Sequence, residues 1–169
     1  MESSVRRRRA GTALVVGQFG LIGLCLLPVG PVLFEPGSNG AGGVGGVLRV
    51  VGLGCLALAV AVGALAFVAM GRDTRVHPVP HARTRLHMHG IYAVIRHPMY
   101  AAVLLACLGV TLTTGRLLAL LSLAALGVVL HLKAQFEDRL LNEQFGWQFA
   151  VYASRVPALL PQPWRSHRR

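Results

Sequence analysis

Residues 97–132 read HPMYAAVLLACLGVTLTTGRLLALLSLAALGVVLHL, a stretch in which Arg116 is the single formal charge. Residues 97–115 alone exceed the roughly 18 uncharged positions that mark a membrane crossing rather than a buried core helix. Residues 117–132 form a second, shorter apolar run that ends at Lys133. The connection between the two, around Thr113-Thr114-Gly115-Arg116, is short, and so short a connection predicts a tight antiparallel helical hairpin. A hairpin turns sequence separation into proximity. It predicts that Arg96-His97, at its start, shares one membrane face with Lys133, Glu137 and Asp138 at its end.

Working outward, residues 11–33 and 50–70 also lack charge. The 169-residue chain is 54% hydrophobic and only 14% charged, where a soluble domain carries roughly a quarter. These runs predict an all-α integral membrane protein with four transmembrane helices, at about 11–33, 46–70, 97–114 and 117–133, within one domain covering 1–169. Past Glu137, the apolar Leu140, Leu141, Phe145 and Phe149 recur at roughly helical spacing among Arg139, Asn142, Glu143 and Gln144. That pattern predicts a cytoplasmic interfacial helix, with Gly146 as its weak point or end.

The net charge of +11 is placed as a membrane protein places it. Arg6 to Arg9, then Arg72, Arg75, Arg83, Arg85 and Arg96, then Lys133, Arg139, Arg155, Arg165, Arg168 and Arg169 fall on one side of a four-span reading. Arg49 and Arg116 fall on the other, so fifteen cations oppose two. This bias predicts a multi-pass protein of the cell membrane with both termini cytoplasmic, in contact with the lipid bilayer. Nucleic acid is excluded as a partner, since no reader module accompanies the charge. The first apolar run is longer than a signal-peptide core and no Ala-x-Ala site follows Pro28, so it reads as a retained helix.

Other motifs carry less. Gly40-Ala41-Gly42-Gly43-Val44-Gly45 matches a dinucleotide fingerprint in letters, but a membrane run precedes it and no acid lies between Glu35 and Asp73. Cys25, Cys55 and Cys107 all fall inside predicted spans and read as small apolar fillers. The histidines His77, His81, His87 and His89 suggest a metal, yet Pro78 and Pro80 break up the first pair and no Cys or carboxylate completes a ligand set. No metal is expected.

Two clusters hold the chemistry. Arg96-His97 leads into an apolar helix with Pro98 in its first turn, where free backbone N–H groups predict an anion site. Glu137 and Asp138 are two of only six acids in the chain. Lys133, four residues before Glu137, shares its helical face. Charged groups at the edge of the membrane are by default candidates for function.

These residues also carry a resemblance. Leu86 to Tyr100, with Tyr92 and Arg96-His97-Pro98-Met99-Tyr100, followed by Glu137-x3-Leu141-x3-Phe145-Gly146-x5-Tyr152-x3-Val156-Pro157, resembles the signature of the isoprenylcysteine carboxyl methyltransferase and phospholipid methyltransferase family. The resemblance implies S-adenosylmethionine as cofactor, held by segments 84–100 and 133–161 outside any dinucleotide fold. It implies cofactor contacts at Arg85, Leu86, His87, Tyr92, Arg96, His97, Pro98, Met99, Tyr100 and Glu137, and catalytic roles for Lys133, Glu137 and Asp138. Lys133 stands where eukaryotic members have a substrate-contacting arginine. The implied reaction is methyl transfer to a lipophilic acceptor at the cytoplasmic face, of the isoprenylcysteine carboxyl O-methyl type, with phospholipid N-methyl or thiol S-methyl transfer as alternatives. Departures are Asp138 in place of a second glutamate, Ile91 in place of the proline before Tyr92, and Ala102 in place of a glycine. A small four-helix transporter is the rival from another class; apart from His97 at a terminus, its first three spans lack the Asp, Glu, Lys or His that proton coupling needs.

Overall fold

The computed structural model describes residues 2–34, 43–70 and 86–159, and is all-helical over them apart from one isolated bridge. Five helices follow one another: α1 (Glu2–Leu26), α2 (Val44–Met70), α3 (Pro98–Thr114), α4 (Leu117–Phe145) and α5 (Trp147–Arg155). A short 3-10 turn, Gly90–Ala93, precedes α3. Two helices, α2 and α4, are long and apolar enough by themselves to cross a membrane. Gly11–Leu26 and α3 are shorter apolar helices. The 17 residues of α3 reach about 26 Å at 1.5 Å per residue, close to the ~30 Å of a hydrocarbon core.

The α3–α4 hairpin forms as the sequence predicts, for a local reason. Gly115 adopts φ +61° and returns its N–H to the Thr111 carbonyl at 2.9 Å, so α3 ends in one residue. A Cβ there would strike the Phe34 carbonyl, which keeps the position for glycine. The chain after α1 folds onto this turn: the Leu33 N–H reaches the Gly115 carbonyl at 2.7 Å, and the Leu117 N–H reaches the Pro31 carbonyl at 3.0 Å. Arg116 adds a hydrogen bond to the Gly30 carbonyl at 3.0 Å.

Helix α1 ends earlier than its apolar run. The sequence predicts a span to residue 33, whereas the helix stops at Leu26. Pro28 and Pro31 lack the N–H a further turn requires, so residues 27–34 form the strap described above instead. At the opposite end α4 runs unbroken to Phe145, carrying Glu137 and Asp138 on the same rod as the apolar segment. Gly146 then breaks the helix, and α5 follows as a separate short element.

The helices pair as α2 with α3 and α1 with α4, with lighter contacts inside the hairpin. Gly52 and Gly109 let the α2 and α3 backbones cross closely: a Cβ on Gly109 would fall 2.8 Å from the Gly52 carbonyl oxygen. The apolar core between α1, α3 and α4 holds Cys25, Cys107, Ala119, Leu126 and Leu130. The Cys25 thiol points at the Cys107 and Ala119 carbonyls, at 3.8 and 3.9 Å, as a small filler with a weak donor. A second core, Phe149, Tyr152 and Val156 with Leu86, Leu141 and Phe145 against it, fixes α5 to the far end of α4.

Candidate active site

The polar site lies where α3 begins and α4 leaves its apolar segment. His97, one residue ahead of α3, is 8% exposed and directs both ring nitrogens at carboxylates. Nε2 is 2.9 Å from Asp138 Oδ1, and Nδ1 is 3.5 Å from Glu137 Oε2. Arg96 binds the other oxygen of Asp138 at 2.8 Å. The Tyr100 hydroxyl, one turn into α3, donates to Glu137 Oε1 at 2.6 Å. Its ring stacks on the His97 imidazole, with centroids 5.2 Å apart. The Lys133 ammonium lies over the Tyr100 ring, 4.7 Å from its centroid.

Adjacent acids on α4 thus divide the work. Asp138 is bound on both oxygens and locks Arg96 and His97 in place. Glu137 has one short bond and one long approach, so lone pairs remain for a ligand. Burial pulls the His97 pKa down, but hydrogen bonds donated to Asp138 and Glu137 and the charges of those carboxylates outweigh it, so the imidazole titrates above its ordinary 6.5. Tyr92 is pushed up to about 12 by burial and by the nearby Glu137 charge, and remains a neutral donor.

A second layer comes from the chain after α4. Tyr152 of α5 donates to the Tyr92 carbonyl at 2.6 Å, and burial raises its own pKa to about 12. Phe149 places its ring 5.7 Å from the Arg96 guanidinium. The Arg96 and His97 N–H groups reach the Pro157 and Ala158 carbonyls, each at 2.9 Å. The residues after α5 therefore clamp the Arg-His turn by main-chain bonds.

The predicted site residues are thus largely gathered. Arg96, His97, Tyr100, Lys133, Glu137 and Asp138 form one connected cluster, and the Tyr92 side chain adjoins it close enough for the Glu137 charge to raise its pKa. Pro98 is fully buried, and Met99 lies half-buried in the same turn. His87 sits 6.0 Å from the Tyr92 ring, while Leu86 packs into the Phe149 core rather than against the carboxylates. Arg85, His77 and His81 lie outside the described residues. Among the described residues no group of three or more His, Cys, Asp or Glu is placed to hold a metal ion.

One expectation needs correction. The free amides anticipated at the start of α3 are mostly spent: Tyr100 and Ala101 donate to the His97 carbonyl at 3.1 and 3.2 Å, and Pro98 has no N–H. The unpaired donors lie elsewhere. Tyr92 Oη and Arg96 Nε are buried and have no hydrogen-bond partner. Sequence reasoning also missed Gln18, whose Oε1 accepts from Lys133 Nζ at 2.8 Å. The signal was present, since Gln18 is the sole side-chain amide in residues 11–33.

A family model for phospholipid methyltransferases matches residues 47–148. The chain belongs to this family of integral-membrane methyltransferases. The match covers α2 from residue 47, all of α3 and α4 and the first two residues of α5, including Arg96, His97, Tyr100, Glu137 and Asp138, and leaves α1 and the rest of α5 outside. No curated protein matches the chain closely enough to count as a relative. Membership in the phospholipid methyltransferase family, together with the apolar helices, supports a membrane-associated enzyme of methyl transfer.

Proposed function

We propose that this phospholipid methyltransferase family member transfers methyl groups from S-adenosylmethionine to a lipophilic acceptor at the cytoplasmic membrane face, through the site built on Arg96, His97, Tyr100, Glu137 and Asp138. The observation that carries the reading is the pair of buried orphan donors, Tyr92 Oη and Arg96 Nε, beside a Glu137 with lone pairs to spare. A molecule bearing a cationic ammonium, a carboxylate and a ribose matches that donor and acceptor set. Glu137 would hold the ammonium, and Arg96 and Tyr92 the carboxylate or hydroxyls. Buried polar groups left unpaired in this way are costly, and a ligand removes the cost.

When bound, S-adenosylmethionine supplies an electrophilic methyl group open to in-line displacement. The chain's own part is alignment and exclusion of water, which supply much of the acceleration in such transfers. Asp138 fixes the guanidinium and imidazole so that neither reorganises on binding. His87, Pro98 and Met99 complete the wall in this reading, and the isoprenylcysteine-type carboxyl acceptor stands beside phospholipid amine and thiol acceptors. All four apolar helices cross the bilayer with both termini cytoplasmic, which puts the polar site at the cation-rich face.

The test is calorimetric binding of S-adenosylmethionine to detergent-solubilised protein, wild type beside His97→Ala and Glu137→Gln. Saturable binding in the folded wild type, lost in both variants, is the expected result. A folded wild type that binds nothing, with membrane lipid supplied, sinks the reading.

A further inference from the structure

Lys133 is the most deeply buried charged side chain among the described residues, at 2% exposure. Burying a cation is costly unless an opposite charge accompanies it. The polar contacts of this ammonium are the Gln18 Oε1 at 2.8 Å and the face of the Tyr100 ring at 4.7 Å, and neither is charged. Glu137, one helical turn further on, directs its two oxygens at Tyr100 and His97 instead. An ammonium carries three donors, and one bond to an amide oxygen leaves it under-used.

Gln18 is as unusual as its partner. It is 7% exposed, lies in an apolar stretch where a buried amide is expensive, and belongs to α1, outside the matched family region. A polar bond between two buried side chains in a lipid-facing helix pair is not needed for packing, since Leu126 and Leu130 fill the α4 core with apolar volume alone.

We infer that Gln18 is a positioning residue that holds the Lys133 ammonium ready for an anionic oxygen on the head group of the methyl acceptor, a carboxylate or a phosphate. The inference rests on the methyl-transfer reading for what the head group is brought to. An oxygen bound there lies beside the Tyr100 ring and one turn from Glu137, so the acceptor head and the proposed cofactor site share a wall. A head group would enter along the α1–α3 seam, where these helices touch only lightly, without parting the close α2–α3 crossing. The N-terminal helix therefore sets which acceptors are read, while the matched family region holds the methyl donor.

The full-length protein in neutral detergent is titrated with four amphiphiles of one chain length: dodecanoate, dodecyl phosphate, dodecanol and dodecylamine. Thermal stability reports binding, and S-adenosylmethionine binding is measured on the same samples. Dodecanoate or dodecyl phosphate is expected to stabilise the wild type at concentrations at least tenfold below dodecanol or dodecylamine. Whichever anion is preferred tells a carboxylate acceptor from a phosphate one. Gln18→Glu, isosteric and able to pair with Lys133, is expected to keep the melting temperature and S-adenosylmethionine binding but lose the preference for anions. Lys133→Arg is expected to retain it and Lys133→Met to lose it, which carries the test should Gln18→Glu not fold. A wild type that does not distinguish anionic from neutral heads, or a Gln18→Glu variant that still does, overturns the inference. Loss of S-adenosylmethionine binding in the wild type instead removes the methyl-transfer reading and leaves the anion result to stand or fall separately.

Discussion

Gly52 and Gly109 bring the backbones of α2 and α3 into close contact, with Leu56, Leu112 and Thr113 packed about them, whereas α1 and α4 meet through Gln18 and Lys133, both buried. Apolar helices in lipid gain nothing from burying more apolar surface, so they associate by close approach of small residues or by polar bonds. The α2–α3 seam uses the first means, which tolerates any apolar neighbour but no added volume. The α1–α4 seam uses the second, which adds specificity at a cost in desolvation. The contrast sets a seam closed by small residues against one that carries a buried polar bond.

Breaking the contrast is most direct at the glycine seam. Gly109→Leu drives a side chain into Leu56 and the Gly52 carbonyl, and overpacking of this kind costs about 3 kcal/mol or more. Loss of a cooperative thermal transition in detergent is the expected readout. Lys133→Met, in the opposite seam, should cost far less, because relief of the buried charge offsets the loss of the one donor to Gln18. Equal damage from both substitutions would erase the distinction drawn here.

The polar end gives the next largest effect. Glu137→Gln is expected to weaken S-adenosylmethionine binding by roughly 10–100-fold, the range for losing a charged hydrogen-bond partner, with a far smaller change in stability. Calorimetry beside a melting curve separates the two. Tyr152→Phe leaves the Tyr92 carbonyl without its donor and should cost about 1 kcal/mol, read as a melting shift of a few degrees. A null result would place the clamp in the main-chain bonds from Arg96 and His97 rather than in this hydroxyl.

The subtlest effect concerns pH. His97 titrates above 6.5 in the folded protein, so its contribution to stability is complete below that value and is lost as pH climbs through the folded pKa. Imidazole NMR signals should show the raised midpoint, and Asp138→Asn should lower it by removing the stronger partner. An unshifted midpoint in Asp138→Asn would mean that Glu137 alone sustains the charge.

Much of this was legible in the chain. Charge-free runs locate the apolar helices because each must satisfy its own backbone and shed its charges, and both demands are written residue by residue. The turn at Thr113-Thr114-Gly115-Arg116, of which only Gly115 and Arg116 lie outside the helices, makes the hairpin because so short a link permits little else. The hairpin in turn brings Arg96, His97, Glu137 and Asp138 together. The end of α1 was misplaced because an apolar run records hydropathy, while Pro28 and Pro31 govern hydrogen bonding, and the two need not stop together.

Composition, cation placement and the Arg96–Tyr100 and Glu137-Asp138 motifs by themselves determined an all-helical membrane-type chain with a site at one end of a hairpin. Which acid holds which cation, the spending of the first α3 amides on His97, the return of Pro157 and Ala158 to the Arg-His turn, and the seating of Gln18 on Lys133 were decided only by the tertiary structure. The reason is physical. Hydropathy and turn chemistry are local properties that a sequence states outright. The pairing of buried polar groups depends on which faces of separate helices meet, and that is settled when all of them pack at once.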